Sequence, residues 1–278
     1  MMAPHSVVRP ALVLLVLLAL LACAAMPASA QPAPKGHLVI VGGGGTPDVV
    51  LAKAITLAGG PAAKIVVFPQ ASELAETGDV NVAMWKKAGA TDVRWIPLTD
   101  PAAARDAVES AAFIWFPGGD QVKLMKAFDG TGVPEVILRR YRAGAVVGGT
   151  SAGAAVMTAV MLTGDADLQS ITVGATKTLP GLGLWPQAIV DQRHLKRQRE
   201  ARLISLVLEH PTMVGVGIDE RTAVILSGGT RADVIGESTV LVVDARKAKV
   251  EPRPAGQHAA ARNITLHVLT NGMTFDVR

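Results

Sequence analysis

The chain has 278 residues and a formal net charge of +4; half of it is hydrophobic and only 4% aromatic. That length and apolar content suit a well-filled α/β core and exclude a disordered chain. The mild positive charge comes without a polybasic run or basic residues interleaved with aromatics, so nucleic acid has no support as a partner.

At the N-terminus, Arg9 stands in a short basic start before the apolar stretch "ALVLLVLLALLACAAM". "PASA" then places small residues at the cleavage positions. A signal peptide over residues 1–30, cut after Ala30, is expected, with export to the periplasm or the exterior. A membrane anchor is the alternative, since the run is near the lower limit for spanning. A lipoprotein carrying its lipid on Cys23 is another, and without that lipid no stable membrane partner is expected. Cys23 is the single cysteine, so the cleaved form would hold neither disulfide nor thiolate. No His-x-x-x-His pair occurs, which leaves a zinc site without basis.

Residues 31–278 are expected to form one domain, because no Pro- or Ser-rich linker divides them. "GHLVIVGGGG" predicts a buried strand entering a glycine turn, and "TPDVVLAKAITLAGG" a helix stopped by Gly-Gly. "AKIVVFPQAS", "DVRWIPL" and "AFIWFPGGD" predict strands. "ETGDVNVAMWKKAGA", "QVKLMKAFDG" and "PEVILRRYRAG" predict helices. "DPAAARDAVESA" predicts a helix capped by Asp100 with Pro101 at its first position. "AVVGGTSAGAAVMTAVM" predicts strand, elbow and helix, and "LPGLGLWPQAIVD" a strand. "QRHLKRQREARLISLVLEHP" predicts one long helix, and the remaining segments predict short strands and hairpins. The alternation argues a mostly parallel sheet covered on both faces, with a small antiparallel extension at the C-terminus.

"VGGGGTP" invites a dinucleotide reading, but the last glycine of G-x-G-x-x-G falls on Pro47 and no acidic residue ends the second strand. No organic cofactor is expected. "GTSAG" (Gly149–Gly153) fits G-x-S-x-G between strand and helix. Ser151 is then a nucleophile raised on an elbow with the Ala152 amide aimed at an oxyanion, or the turn simply needs small residues. A second glycine turn, "FPGGDQ", ends another strand on the same sheet edge. There the Gly119 amide is placed as a second donor and Gln121 as a polar clamp. In "DQRHLKRQREARL", a helix would put Arg193 one turn from Arg197, and Gln198 one turn from Arg202. Those arginines suit bidentate binding of carboxylates; a solvated helix face is the alternative.

Four blocks, "FPGGDQ", "GGTSAGAAVM", "VDQ…LKRQREARL" and "GVGIDERTAVI", resemble in order and spacing the cyanophycinase-type serine peptidases of family S51, over roughly Gly36 to Ser227. The resemblance implies a class I glutamine amidotransferase-like fold, a three-layer sandwich around a mostly parallel sheet. It implies a serine-type peptidase with Ser151 in a Ser–His–acid arrangement and Gly119 with Ala152 as oxyanion donors. It also implies that Gln121, Asp191, Gln192, Arg197 and Arg202 line the substrate site. The substrate implied is a peptide, foremost cyanophycin cut into β-Asp-Arg units, with no metal or cofactor.

The chain departs from the family pattern at one place. Where the family reads Asp-Gln-His, this chain has Arg193, and His194 comes one step later. One step turns a side chain about 100° around a helix. Either the backbone shifts so that His194 serves as base, or another base acts, or the chain only binds; an aspartyl dipeptidase is a further alternative. His210 is a weaker base candidate that suits a helix end. Asp165 and Asp167 are candidates for the acid, while Asp219 and Glu220 match a family block and suit structural roles equally. The helix after the elbow and the C-terminal hairpins both offer a homodimer contact, and nothing chooses between them.

Overall fold

Strand β1 (His37–Val41) sends Leu38 and Ile40 into one hydrophobic core and Val39 and Val41 into another. A strand buried on both faces does this, because successive side chains alternate across the sheet. The computed structural model describes residues 32–277, so the expected signal peptide, Cys23 and the cut after Ala30 lie outside the described residues. Among those described, every strand and helix belongs to one compact unit, Pro34–Arg278.

After β1 come α1 (Asp48–Leu57), β2 (Lys64–Val67), α2 (Thr77–Lys87), β3 (Asp92–Trp95), α3 (Pro101–Glu109) and β4 (Phe113–Phe116). Helices α4 (Gln121–Phe128) and α5 (Val133–Ala143) precede β5 (Val146–Thr150) and the four-residue α6 (Ala152–Ala155). There follow β6 (Val160–Ala166), β7 (Thr176–Pro180), β8 (Ala188–Gln192), α7 (Glu200–Glu209) and β9 (Val214–Ile218). The last strands are β10 (Thr222–Ser227), β11 (Arg231–Gly236), β12 (Val240–Asp244), β13 (Lys249–Glu251), β14 (Ala260–Arg262), β15 (Thr265–Leu269) and β16 (Thr274–Asp276).

Strands β1, β5, β4, β2 and β3 lie side by side and parallel. Helices α3, α4 and α5 bury their apolar sides on one face, and α1 with Trp85 of α2 covers the other. Asp100 caps α3 as its sequence predicts, accepting from the amides of Ala102 at 3.0 Å and Ala103 at 3.1 Å. The three-layer, mostly parallel architecture expected from the strand–helix alternation is present.

The expected antiparallel strands at the C-terminus are present and divide between two sheets, while two other segments differ from their predicted form. β10, β11 and β16 extend the main sheet antiparallel beyond β1, and β12 and β15 join β9 and β8 in a second, four-stranded sheet. The helix after the elbow is only four residues long. The chain beyond it is drawn into extended pairing, with Leu182 N–H donating to Val156 O at 2.8 Å and Trp185 N–H to Met157 O at 3.0 Å. The long helix shrinks to α7, because Arg193 (φ 49°) and Gln198 (φ 51°) are left-handed and the turn between them cannot continue a right-handed helix.

Candidate active site

Ser151 joins β5 to α6 with φ 54° and ψ −112°, a conformation that strains any residue with a Cβ. The backbone fixes it from both sides. Its N–H donates to Val41 O at 3.0 Å, and its carbonyl accepts from the amides of Ala154 at 2.9 Å and Ala155 at 3.1 Å. The flanking glycines are steric necessities. A Cβ at Gly149 would lie 2.3 Å from Gly153 O, and one at Gly153 would lie 2.0 Å from Phe116 O. Tight packing and a projecting serine are thus two aspects of one elbow.

The second glycine turn faces this elbow, since a Cβ at Gly118 would stand 3.4 Å from Ser151 Cβ. Gly119 (φ 145°) has no room for a side chain either, because a Cβ there would meet Ala71 O at 2.1 Å. Between the turns opens a cavity of about 530 Å³. Five of the predicted site residues line it: Ser151, Gly119, Gln121, Gln192 and Arg197. Gln121 is tied down by a 2.8 Å hydrogen bond from Nε2 to Leu162 O. Gln192 accepts at Oε1 from Arg199 Nη1 at 2.7 Å. Ala152 is buried at the start of α6, immediately after Ser151.

Asp191, His194 and Arg202 are not brought to that cavity. They form a buried cluster beside it, in which the fully buried Asp191 Oδ2 accepts from Arg202 Nε at 2.9 Å and Oδ1 accepts from Arg202 Nη2. His194 Nδ1 stands 3.2 Å from Asp191 Oδ2. Burial alone would push the Asp191 carboxyl up, but the hydrogen bonds and charges of Arg202 and His194 hold it below the usual carboxylate range. His194 is 1% exposed, with its ring flat against β9: a Cβ at Gly217 would lie 2.3 Å from His194 Cδ2 and 2.7 Å from Nε2. The backbone shift that would carry His194 to Ser151 is absent. The left-handed turn at Arg193 sends that side chain to the cavity and His194 to the interior, so Asp191 and Arg202 pair with His194 and do not line the substrate space.

Arg193 takes the place next to Ser151. Its N–H donates to Gly42 O at 2.9 Å, and its side chain runs over Gly43. A Cβ on Gly43 would meet Arg193 Nε at 2.8 Å and Ser151 Cβ at 3.3 Å. Beyond Arg193 stands Glu220, with Oε1 3.5 Å from Arg193 Nε; a Cβ at Gly44 would collide with that glutamate at 2.7 Å. Gly43 and Gly44 therefore have no room for a side chain, because Ser151, Arg193 and Glu220 pass over them in a row.

The sequence left Glu220 level with Asp219 in the block "GIDERTA", and the structure separates them by placing Glu220 beside Arg193. Asp219 is structural, accepting from the Lys196 amide and the Ser238 hydroxyl, each at 3.0 Å. Asp165 lines the cavity but pairs with Lys177 at 2.9 Å, both well exposed. Asp167 accepts from the Gln169 amide at 2.8 Å within its own turn. His210 ends α7, its amide donating to Leu206 O at 3.0 Å. Arg199 also borders the cavity, where burial first, and then the charge of Arg202, lower its pKa to about 10. Among the described residues, no group of three or more His, Cys, Asp or Glu side chains is arranged to hold a metal ion.

A serine on a strained strand–helix elbow, at the carboxyl edge of a mostly parallel sheet, is the scaffold of a serine-type hydrolase. The model of Peptidase family S51 matches residues 38–234, and the chain belongs to that family as a cyanophycinase-like serine-type peptidase. It is 35% identical over 244 residues to a cyanophycinase from Geminocystis herdmanii, covering 82% of this chain and 90% of that one. A cyanophycinase from Trichormus variabilis is 33% identical over 228 residues, covering 78% of this chain and 76% of that one. The fold resembles the crystal structure of a peptidase from an acI-B1 Actinobacterium, with a TM-score of 0.61 at 22% identity, over 88% of this chain and 98% of that one.

Proposed function

We propose that the protein is an exported peptidase acting on aspartyl-type peptide bonds, foremost those of cyanophycin, through an acyl-enzyme on Ser151. The observation that carries this reading is the strained Ser151 opening onto a cavity bordered by Arg193, Arg197 and Arg199. The kinship with cyanophycinases supports the substrate class. In the proposed reaction Ser151 Oγ attacks the substrate carbonyl carbon, and the amides of Gly119 and Ala152 donate to the oxyanion. The amine leaves with a proton, and water then cleaves the ester to release the acid and restore the hydroxyl. Arg197 holds a substrate carboxylate, with Gln121 and Gln192 as polar walls. Asp191, His194 and Arg202 act from beneath, by fixing the strand and turn that present Gln192 and Arg193.

Export rests on residues 1–30. Amino-terminal sequencing of the protein recovered outside the cytoplasm is expected to begin at Gln31. A second reading, a protein that binds acidic peptide without cleaving it, is favoured by the guanidinium beside Ser151. Incubation with cyanophycin and with β-aspartyl dipeptides separates the readings. Release of β-Asp-Arg by the native protein and none by Ser151→Ala is the expected result. Equal release by both would overturn the role of Ser151, and cleavage of dipeptides alone would point to a dipeptidase.

A further inference from the structure

We infer that Arg193 fills the position beside Ser151 that a proton acceptor has to occupy, so that this chain holds acidic peptides and acylates slowly for want of a base. The inference rests on the reading of Ser151 as nucleophile. Ser151 and Arg193 meet over Gly43, where a single added Cβ would touch both, and Glu220 stands behind Arg193 at 3.5 Å. This is the spatial order of nucleophile, middle group and orienting carboxylate, with a guanidinium in the middle. A guanidinium only donates hydrogen bonds and cannot take the serine proton. Its Nε is buried and faces the Glu220 carboxylate, so the guanidinium is held in this place by charge.

Among the described histidines and the carboxylates lining the cavity, none supplies the missing acceptor. His194 is packed against Gly217 and Asp191. His37 bonds Ser227 at the start of β1, the end of the strand opposite the elbow. His258 lies near Thr172, His210 ends α7, and His267 sits in β15. Of the cavity carboxylates, Asp120 caps α4 and Asp165 pairs with Lys177. Attack by Ser151 therefore passes its proton to water or to the substrate, and the acyl-enzyme forms slowly. Glu220, held over Gly44, is already placed to orient an imidazole at position 193.

Arg193→His installs that imidazole. A positioned general base contributes about 10²- to 10⁴-fold. The rate at which a serine-directed phosphonofluoridate labels Ser151, located by mass spectrometry, should rise at least about 100-fold in Arg193→His over the native protein. The variant's rate should climb with pH through about 6.5, the ordinary imidazole value, while the native rate shows no such inflection. Adding Glu220→Gln to Arg193→His should remove most of the gain, with circular dichroism confirming that each variant is folded. Native labelling as fast as that of Arg193→His, or a native inflection near neutral pH, would overturn the inference and leave the nucleophile reading intact. A folded Arg193→His that stays unlabelled at Ser151, as inert as Ser151→Ala, would overturn both.

Discussion

Ser151 shows how one residue's backbone ties stability to activity. Its φ and ψ suit glycine alone, and such a conformation costs on the order of 1–3 kcal/mol. Ser151→Gly relieves the strain and removes the hydroxyl together. The variant is expected to unfold in urea at higher free energy by about 1–2 kcal/mol while losing all phosphonofluoridate labelling. A less stable Ser151→Gly would mean that the elbow is relaxed. The opposite substitution belongs to its neighbour. Gly149→Ala drives a methyl against the Gly153 carbonyl, a backbone group that cannot rotate away. It should cost about 3 kcal/mol or more, near the upper end of overpacking effects, read from the same denaturation curves. The glycine–serine–glycine pattern was readable from the sequence, because both demands arise within five residues.

At the scale of elements, the segment after β8 is held from a distance. The Asp219 carboxylate accepts from the Lys196 amide across 23 residues of chain, and the Asp191 carboxylate binds Arg202 and His194 in the interior. Asp191→Asn leaves the buried Arg202 charge without its counterion and should destabilise the fold by about 3–5 kcal/mol in chemical denaturation. The pH dependence follows from the depressed carboxyl of Asp191. Its stabilisation is complete above the unfolded carboxylate value near 4 and is lost as pH falls through the lower folded value. Native stability should therefore fall on the acid side of about pH 4, and that component should be absent from the Asn variant. Caps, strands and helices before β5 were legible because their signals are local, as with Asp100 and Pro101. The turn over 193–199 was not, because Arg193 and Gln198 adopt left-handed conformations without glycine, under ties to residues far along the chain. Arginines read as one exposed face divide in the same way: Arg197 borders the cavity while Arg202 is 2% exposed.

For the whole molecule, the site stands where the two sheets meet. Val41 O at the end of β1 holds the Ser151 amide, Gly42 O holds Arg193 after β8, and Gly43 O accepts from Arg221 between β9 and β10 at 2.8 Å. The carboxyl ends of β1 and β5 from one sheet and of β8 and β9 from the other thus converge on one glycine turn. An antiparallel tail was visible in the sequence, but its division between two sheets was not, because pairing across the turn at Asp219–Arg221 is decided by packing. This convergence gathers Arg193, Arg197 and Arg199 at a single opening. Their attraction for a polyanionic ligand has to depend on salt, since the Debye length falls from about 30 Å at 0.01 M to about 3 Å at 1 M. Titration of an acidic β-aspartyl peptide into Ser151→Ala, followed by calorimetry, should show at least a tenfold loss of affinity across that range, a change of about 1.4 kcal/mol. Adding Arg197→Ala should weaken low-salt binding and flatten the salt slope. A salt-independent affinity, or an unchanged slope without Arg197, would mean that the peptide is held by the glutamines and backbone amides instead of the arginines.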